Sequence, residues 1–233
     1  MLASLLEDLY QENWYRGQLT HIETLPAASP RHAPIPLHPL LASYLEQNGI
    51  HFYQHQAEAI EAFRRGHDLI ITTPTASGKT LAFNIPVLEA LLADENASAI
   101  YIYPLKALAN DQLEKLRAIE AGCGIDLFPH TYDGDTPAGA RGRIKKTARI
   151  VLTNAHALHQ YLPWHHQWAR IFSGLKAIVL DEAHQYRGVF GANVSLLLRR
   201  LLRLVEHYGG SPQIILSSAG ICLLYTSDAA DDM

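Results

Sequence analysis

The sequence predicts an α/β fold built on a mostly parallel β-sheet with helices on both faces, preceded by a short N-terminal accessory segment. Three observations carry that prediction. Short apolar runs alternate with stretches of helical spacing along most of the 233 residues. Runs such as Ile178-Val179-Leu180 are continuously apolar, as in strands buried on both faces. A Gly-Lys-Thr loop follows one strand and opens a helix, which is where a sheet of this kind gathers anions.

The elements follow in order. Leu2, Leu5, Leu6 and Leu9 fall at helical spacing, predicting a short amphipathic helix within Leu2–Tyr15. Gln18–Leu25 reads as extended. Pro26, Pro30, Pro34, Pro36 and Pro39 then forbid continuous helix, so this stretch is a linker or wrap-around segment. Leu40, Leu41, Tyr44 and Leu45 form one helix face that stops at Gly49. A second helix covers His55–Arg65 and ends at Gly66. Strands are predicted at Leu69–Thr72, Ala99–Tyr103, Ile125–Tyr132, Arg149–Thr153, Ala177–Leu180 and Gln213–Ser217. Helices between them are predicted near Thr80–Leu92, Lys106–Ile119, Ala155–Leu162 and Val194–His207.

Composition narrows the class. The apolar fraction of 48% supports a buried core and excludes wholesale disorder. Two cysteines, Cys123 and Cys222, make no disulfide framework and carry no metal-ligand spacing. No apolar run approaches the roughly 18 residues of a membrane span. The start Met1-Leu2-Ala3-Ser4-Leu5-Leu6-Glu7-Asp8 lacks the basic region of a signal peptide. A reduced, soluble, cytoplasmic protein is expected, with nucleoid association in a bacterium or archaeon. Lys plus Arg is 19 and Asp plus Glu is 23, a net charge of −4 that argues against a uniformly basic nucleic-acid binder but leaves room for local basic patches.

Thr73-Pro74-Thr75-Ala76-Ser77-Gly78-Lys79-Thr80 connects a strand to a helix. Such a loop turns backbone N–H groups and a helix N-terminus toward one point, a ready anion site. Gly78 permits close approach of phosphate, Lys79 reaches the β- and γ-phosphates, and the Thr80 hydroxyl can ligate Mg²⁺. Thr75, Ala76 and Ser77 complete the cradle. Thr73 replaces the glycine that usually opens this pattern. A second signal lies about a hundred residues on. The strand Lys176–Leu180 runs into Asp181-Glu182-Ala183-His184, at the strand end that faces the ligand crevice in open α/β sheets. Asp181 is placed to hold Mg²⁺ through water, and Glu182 to orient and deprotonate the attacking water. The two loops are expected to emerge side by side from neighbouring strands and to share one magnesium-bound triphosphate.

These residues resemble superfamily-two helicases. Asp181–His184 matches the DEAH form of motif II, and Thr73–Thr80 is similar to motif I. Gln56 stands where that family reads the adenine base, and Tyr53 is either an adenine-stacking ring or a filler between two helices. Pro104–Ala109, with Lys106, resembles motif Ia. Tyr132–Thr136, with Gly134, and Thr153-Asn154 resemble the motif Ib region that grips the nucleic-acid backbone. Ser217-Ser218-Ala219 is similar to motif III, with Gly220 where threonine is usual, and His184 would couple motif II to it. The continuation Gln185-Tyr186-Arg187-Gly188-Val189-Phe190-Gly191 resembles the DEAD/DEAH-box branch of the mitomycin-repair and RecQ-four-like helicases. The resemblance covers roughly Gln18 to Ile221. It implies a RecA-like P-loop NTPase domain, the first of two motor domains, with ATP and Mg²⁺ as ligands and DNA repair as the setting. It also implies ATP-dependent 3′-to-5′ translocation on single-stranded DNA. An RNA helicase of the same class and a non-catalytic nucleotide or nucleic-acid binding module are the alternatives.

The organisation expected is an accessory segment over 1–36, the ATP-binding domain over 37–221 and a non-native tail over 222–233, which reads as a translated sequencing adapter. A second RecA-like domain, with the arginine finger such motors need, would lie beyond 221. This polypeptide alone is therefore expected to bind nucleotide weakly, hydrolyse it poorly and unwind nothing. Smaller signals are ambiguous. Arg141, Arg143, Lys145, Lys146 and Arg149 read either as a phosphate contact or as a solvated helix face. Arg199, Arg200 and Arg203 read as stems packed along the surface. His156, His159, His165 and His166 cluster with Tyr161, Trp164 and Trp168, but without a further carboxylate or cysteine they read as packing rather than metal ligands. Trp164 is a minor candidate for base stacking, and Cys123 reads as a buried small hydrophobe.

Overall fold

A computed structural model describes residues 2–21, 31–73 and 77–219. The chain forms two compact units, Met1–Arg31 and His32–Met233. In the first, α1 (Leu2–Gln11) is amphipathic and ends four residues before Tyr15, whose ring meets Tyr10 edge-on at 5.3 Å. The expected extended run Gln18–Leu25 and the prolines Pro26 and Pro30 lie largely outside the described residues, as does the tail over 222–233.

The second unit is an α/β domain. Its elements are α2 (Pro39–Gln47), α3 (Gln54–Arg64), β1 (Leu69–Thr72), α4 (Lys79–Ala93), β2 (Ser98–Ile102), α5 (Lys106–Cys123), β3 (His130–Thr131), α6 (Ala138–Thr147), β4 (Ile150–Thr153), α7 (Ala155–Tyr161), α8 (Ala169–Ser173), β5 (Leu175–Leu180), α9 (Gly188–His207) and β6 (Gln213–Ser218). Short 3₁₀ turns fill Leu162–Trp168 and Ala183–Gln185. The six strands form one sheet in the order β1-β6-β5-β2-β4-β3, with every pairing parallel.

Period-two alternation divides the core between the two faces. Ala99, Tyr101, Ile150, Leu152, Ala177, Val179 and Ile215 pack on one face with Phe83, Leu88 and Leu116 from α4 and α5. Ile100, Ile102, Val151, Ile178 and Leu180 pack on the other with Leu158, Phe172, Leu201 and Val205 from α7, α8 and α9. All five residues of β2 are buried, the property its continuous apolar run predicts.

Three expectations are corrected. The phosphate loop and the acidic strand end do not leave neighbouring strands, because β6 lies between β1 and β5. Two strand spacings, about 10 Å, therefore separate their origins. The strand expected over Ile125–Tyr132 shrinks to two residues. Glu120 takes the amides of Leu127 and Phe128 at 2.8 and 2.6 Å, and Phe128 turns to φ 47°, so pairing with β4 starts only at His130. The helix expected from Val194 begins at Gly188, directly after the acidic loop.

The five basic residues, read as either a phosphate contact or a solvated helix face, occupy α6 and the turn after it and have different surroundings. Arg141 lies over Tyr132 and Tyr161, and Lys145 over Tyr132 and Trp168, at 5.7–5.9 Å from the ring centroids. Arg149 turns inward and donates to the carbonyls of Leu91, Asp94, Ala97 and Asp126, tying three connections together. Only Arg143 and Lys146 of the five are exposed. Truncating Arg149 strands several carbonyls at once, each costing about 1–3 kcal/mol where water cannot reach. Arg149→Ala is thus expected to lower stability by about 2 kcal/mol or more, and Arg143→Ala by no more than about 0.5. Urea midpoints measure both, and equal losses in the two variants would contradict this division of roles.

Candidate nucleotide and nucleic-acid site

Because all strands are parallel, β1, β6 and β5 deliver their C-terminal ends to one edge of the sheet. The loop from β1 enters α4 through Gly78, whose φ of 79° is cheap only for glycine. A Cβ there would stand 2.3 Å from the Gln56 side-chain nitrogen, so the position excludes a side chain twice over. Gln56 is almost fully buried and bridges two elements. Its Oε1 accepts from the Tyr53 amide at 2.8 Å, and its Nε2 donates to the Gly78 carbonyl at 2.8 Å. The glutamine expected at an adenine therefore also fixes the loop glycine.

Lys79 opens α4 and donates from Nζ to the Thr73 carbonyl at 2.7 Å, while the hydroxyls of Thr73 and Ser77 meet at 2.5 Å. Thr80 follows in the first turn of α4. The loop is thus closed across its mouth by its own lysine. Thr75 and Ala76 lie outside the described residues. Tyr53 keeps 37% of its surface and lies near-parallel to two imidazoles, His32 at 5.1 Å and His55 at 5.8 Å. The tyrosine is one ring of a stacked ladder beside Gly78 and Gln56, and His32 and His55 are the members that sequence spacing missed.

Past β5, the Asp181 amide donates to the Ile102 carbonyl at 3.1 Å, and Asp181 Oδ1 accepts from the Glu182 amide at 2.9 Å. Glu182 has φ 50°, an uncommon conformation for a residue with a Cβ. Its carboxylate lies 3.2 Å from His184 Nδ1, which in turn lies 3.3 Å from Ser218 Oγ. One imidazole thus joins the acidic loop to the end of β6, whose Ser218 stands opposite Thr72 of β1. Ser217 is fully buried, and its hydroxyl has no hydrogen-bond partner among the described residues. Ala219 follows β6, and Gly220 lies outside the described residues. Tyr103 and Tyr186 are buried phenols next to this loop. Burial, reinforced by the Asp181 charge, pushes both well above the usual tyrosine range. Tyr103 was not singled out by sequence, since nothing local marks a residue that abuts a carboxylate from another strand.

The residues expected at nucleic acid gather at the other end of the same edge. Lys106 pairs with Asp135 at 2.6 Å, and this hydrogen bond raises the lysine pKa. Together with Asn110, Thr131 and Thr136 they line a cleft of 210 Å³. Gly134 is exposed at the tip of that turn. Thr153 is buried and donates to the Tyr132 carbonyl at 2.7 Å, while Asn154 caps α7 by accepting from the Ala157 amide at 2.8 Å. Both side chains are committed to the fold. His165 meets Tyr208 Oη at 2.7 Å, and Trp164 is exposed. Among the described residues, no cluster of three His, Cys, Asp or Glu could hold a metal.

The site fits Mg-ATP on two counts. Gly78 is the left-handed N-cap of α4 directly before Lys79, a helix N-terminus that favours an anion. Thr80 and Asp181 offer hard oxygen donors, the chemistry that Mg²⁺ takes, usually one or two from protein with the rest from phosphate and water.

Comparison with known proteins places this geometry in context. The DEAD/DEAH box helicase family profile matches residues 53–222. The chain is 40% identical over 226 residues to the ATP-dependent helicase YprA of Bacillus subtilis, covering 94% of this chain and 29% of that protein. It is 37% identical over 219 residues to the ATP-dependent helicase hrq1 of Schizosaccharomyces pombe, covering 90% of this chain and 21% of that one. The crystal structure of the DUF1998 helicase MrfA bound to DNA and AMPPNP superposes with a TM-score of 0.85 at 39% identity, over 93% of this chain and 30% of that one. The chain thus spans under a third of the length of the curated relatives it matches. Among the described residues, no helix is long and apolar enough to cross a membrane.

Proposed function

The chain belongs to the DEAD/DEAH box helicase family, and on that premise we propose that it is the first RecA-like motor domain of an ATP-dependent DNA helicase that moves along single-stranded DNA. The observation that carries the reading is the continuous contact along one sheet edge. Gln56 holds Gly78 of the phosphate loop, and His184 holds both Glu182 and the Ser218 end of β6. A change at the triphosphate is thereby felt by three strands at once.

In this reading Lys79 and the loop amides, from Thr75 through Gly78, bind the phosphates. Thr80 and Asp181 hold Mg²⁺, which when bound screens phosphate charge and aligns the β- and γ-phosphoryl groups. Gln56 orients the adenine edge, and Tyr53 stacks beside it. Glu182 positions a water and receives its proton. His184, with Ser217 and Ala219, passes the state of that carboxylate to β6. Lys106, Gly134, Thr153 and Asn154 form the strand-facing edge, the last two through position rather than free side-chain donors.

The neighbour whose structure was determined bound to DNA supports DNA over RNA as the partner. The test is the ATPase of the longer protein titrated with single-stranded DNA and, separately, RNA of the same sequence. Stimulation by DNA is expected, and stimulation by RNA alone would make it an RNA helicase. A finer prediction concerns Asp135, which occupies the Lys106 ammonium that a phosphate would use. The pair is exposed and weak, so Asp135→Asn is expected to tighten DNA binding by no more than about five-fold at low salt. The gain should shrink as salt screens it, and an unchanged or weaker affinity in anisotropy titrations would remove Lys106 from the interface.

A further inference from the structure

Directly after the acidic loop, α9 opens by exposing two large apolar side chains, Val189 at 81% and Phe190 at 49%. The backbone holds them there. Gly188 has φ 55°, and a Cβ on Gly191 would stand 2.3 Å from the Tyr186 carbonyl oxygen. Glycine is therefore required on both sides of the pair, and the turn has little freedom to tuck the ring away. Phe190 rests on the Tyr186 ring at 5.6 Å and 36°. Beside it a cleft of 540 Å³ runs between α7 and α9, with Phe190 and Leu196 on its apolar wall and His156, His159, Asn193 and Arg200 among its polar groups. Among the described residues no carboxylate lines it. Every titratable group facing the cleft is a base or a cation.

We propose that this cleft is a single-stranded nucleic-acid site in which Phe190 is a stacking platform for a base and Arg200, with the two histidines, faces the adjoining phosphates. The inference rests on the nucleic-acid reading above and extends it to residues outside motifs Ia and Ib. A flat apolar wall beside positive charge matches a strand that carries π-faces on a polyanionic backbone. The location agrees, since α7 begins one residue after Asn154 and α9 one residue after Arg187. Arg187 Nε donates to the His184 carbonyl at 2.6 Å, and Tyr186 packs beneath Phe190. The platform is thereby anchored on the acidic loop itself, so a nucleotide-driven shift of that loop moves the ring that holds the base.

The test uses this chain with a fluorescein-labelled oligothymidylate, read by anisotropy across a salt series. Loss of one stacked base predicts that Phe190→Ala weakens binding about 5- to 100-fold, while Phe190→Trp retains it. Arg200→Glu should weaken binding and lower the salt slope by at least about one, whereas Arg203→Glu, one turn along α9 and outside the cleft, should do far less. If wild type binds and both Phe190→Ala and Arg200→Glu bind equally well, the platform is wrong and the Lys106 edge stands. Equal losses in the Arg200 and Arg203 variants also overturn it, by making the effect one of net charge. Failure of the wild-type chain to bind any single strand overturns the nucleic-acid reading itself. Should Phe190→Ala fail to fold, the exposed Arg200 and Arg203 pair still decides the question.

Discussion

Replacing Glu182 by glutamine in the longer protein is expected to slow ATP hydrolysis by about 10²–10⁴-fold while nucleotide affinity stays within about two-fold, the signature of a lost general base. The geometry gives the reason. Glu182 holds φ 50° directly after β5, a conformation that costs of order 1 kcal/mol or more for a residue with a Cβ. Its surroundings over-determine it, because the amide is held by Asp181 and the carboxylate by His184. Glutamine preserves the size and can still meet the imidazole, but it cannot take up a proton from water. Single-turnover hydrolysis and thermal shift with a non-hydrolysable ATP analogue separate the two effects. An unchanged turnover would assign the chain to the non-catalytic nucleotide-binding alternative.

The fold class was legible because its signal is local. Ile178-Val179-Leu180 reads as a strand buried on both faces from three letters, and its residues do pack alternately into the two halves of the core. The loops that carry the candidate site were legible for a similar reason, since Thr73–Thr80 and Asp181–His184 are contiguous. Their spacing in the sheet was not. Nothing near residue 181 reveals that Ser217 and Ser218 pair with Ile71 and Thr72, which puts β6 between the two loops. That insertion matters, because it lets His184 reach a serine on the middle strand. The basic cluster stayed ambiguous in sequence for the same physical reason. Five charges within nine residues look alike in sequence, yet Arg149 finds carbonyls more than twenty residues away, and Arg141 and Lys145 find the rings of Tyr132, Tyr161 and Trp168. Glu120 likewise ends a strand it does not belong to, by capturing the amides of Leu127 and Phe128. In each case the decisive partner lies outside the segment itself, where periodicity carries no information.

Lys79→Ala is expected to have the largest effect at the phosphate loop, lowering ATP affinity by about 10³-fold. A cation about 4 Å from a phosphate charge gains roughly 4 kcal/mol at the effective dielectric of a partly buried site, and that factor follows from it. The Lys79 ammonium donates to the Thr73 carbonyl at 2.7 Å. A phosphate oxygen offers that ammonium an anionic acceptor in place of a neutral carbonyl, so exchange favours the ligand. The alanine variant should therefore keep its unfolding temperature near that of wild type yet lose the stabilisation that nucleotide confers. Lys79→Arg tests whether charge alone suffices. Its planar fork cannot replace a compact ammonium at the end of a turn built around Gly78, so little recovery is expected. Titration with a fluorescent ATP analogue alongside thermal unfolding reads all three proteins. If Lys79→Ala bound nucleotide as tightly as wild type, the triphosphate would have to lie somewhere other than the cradle between β1 and α4.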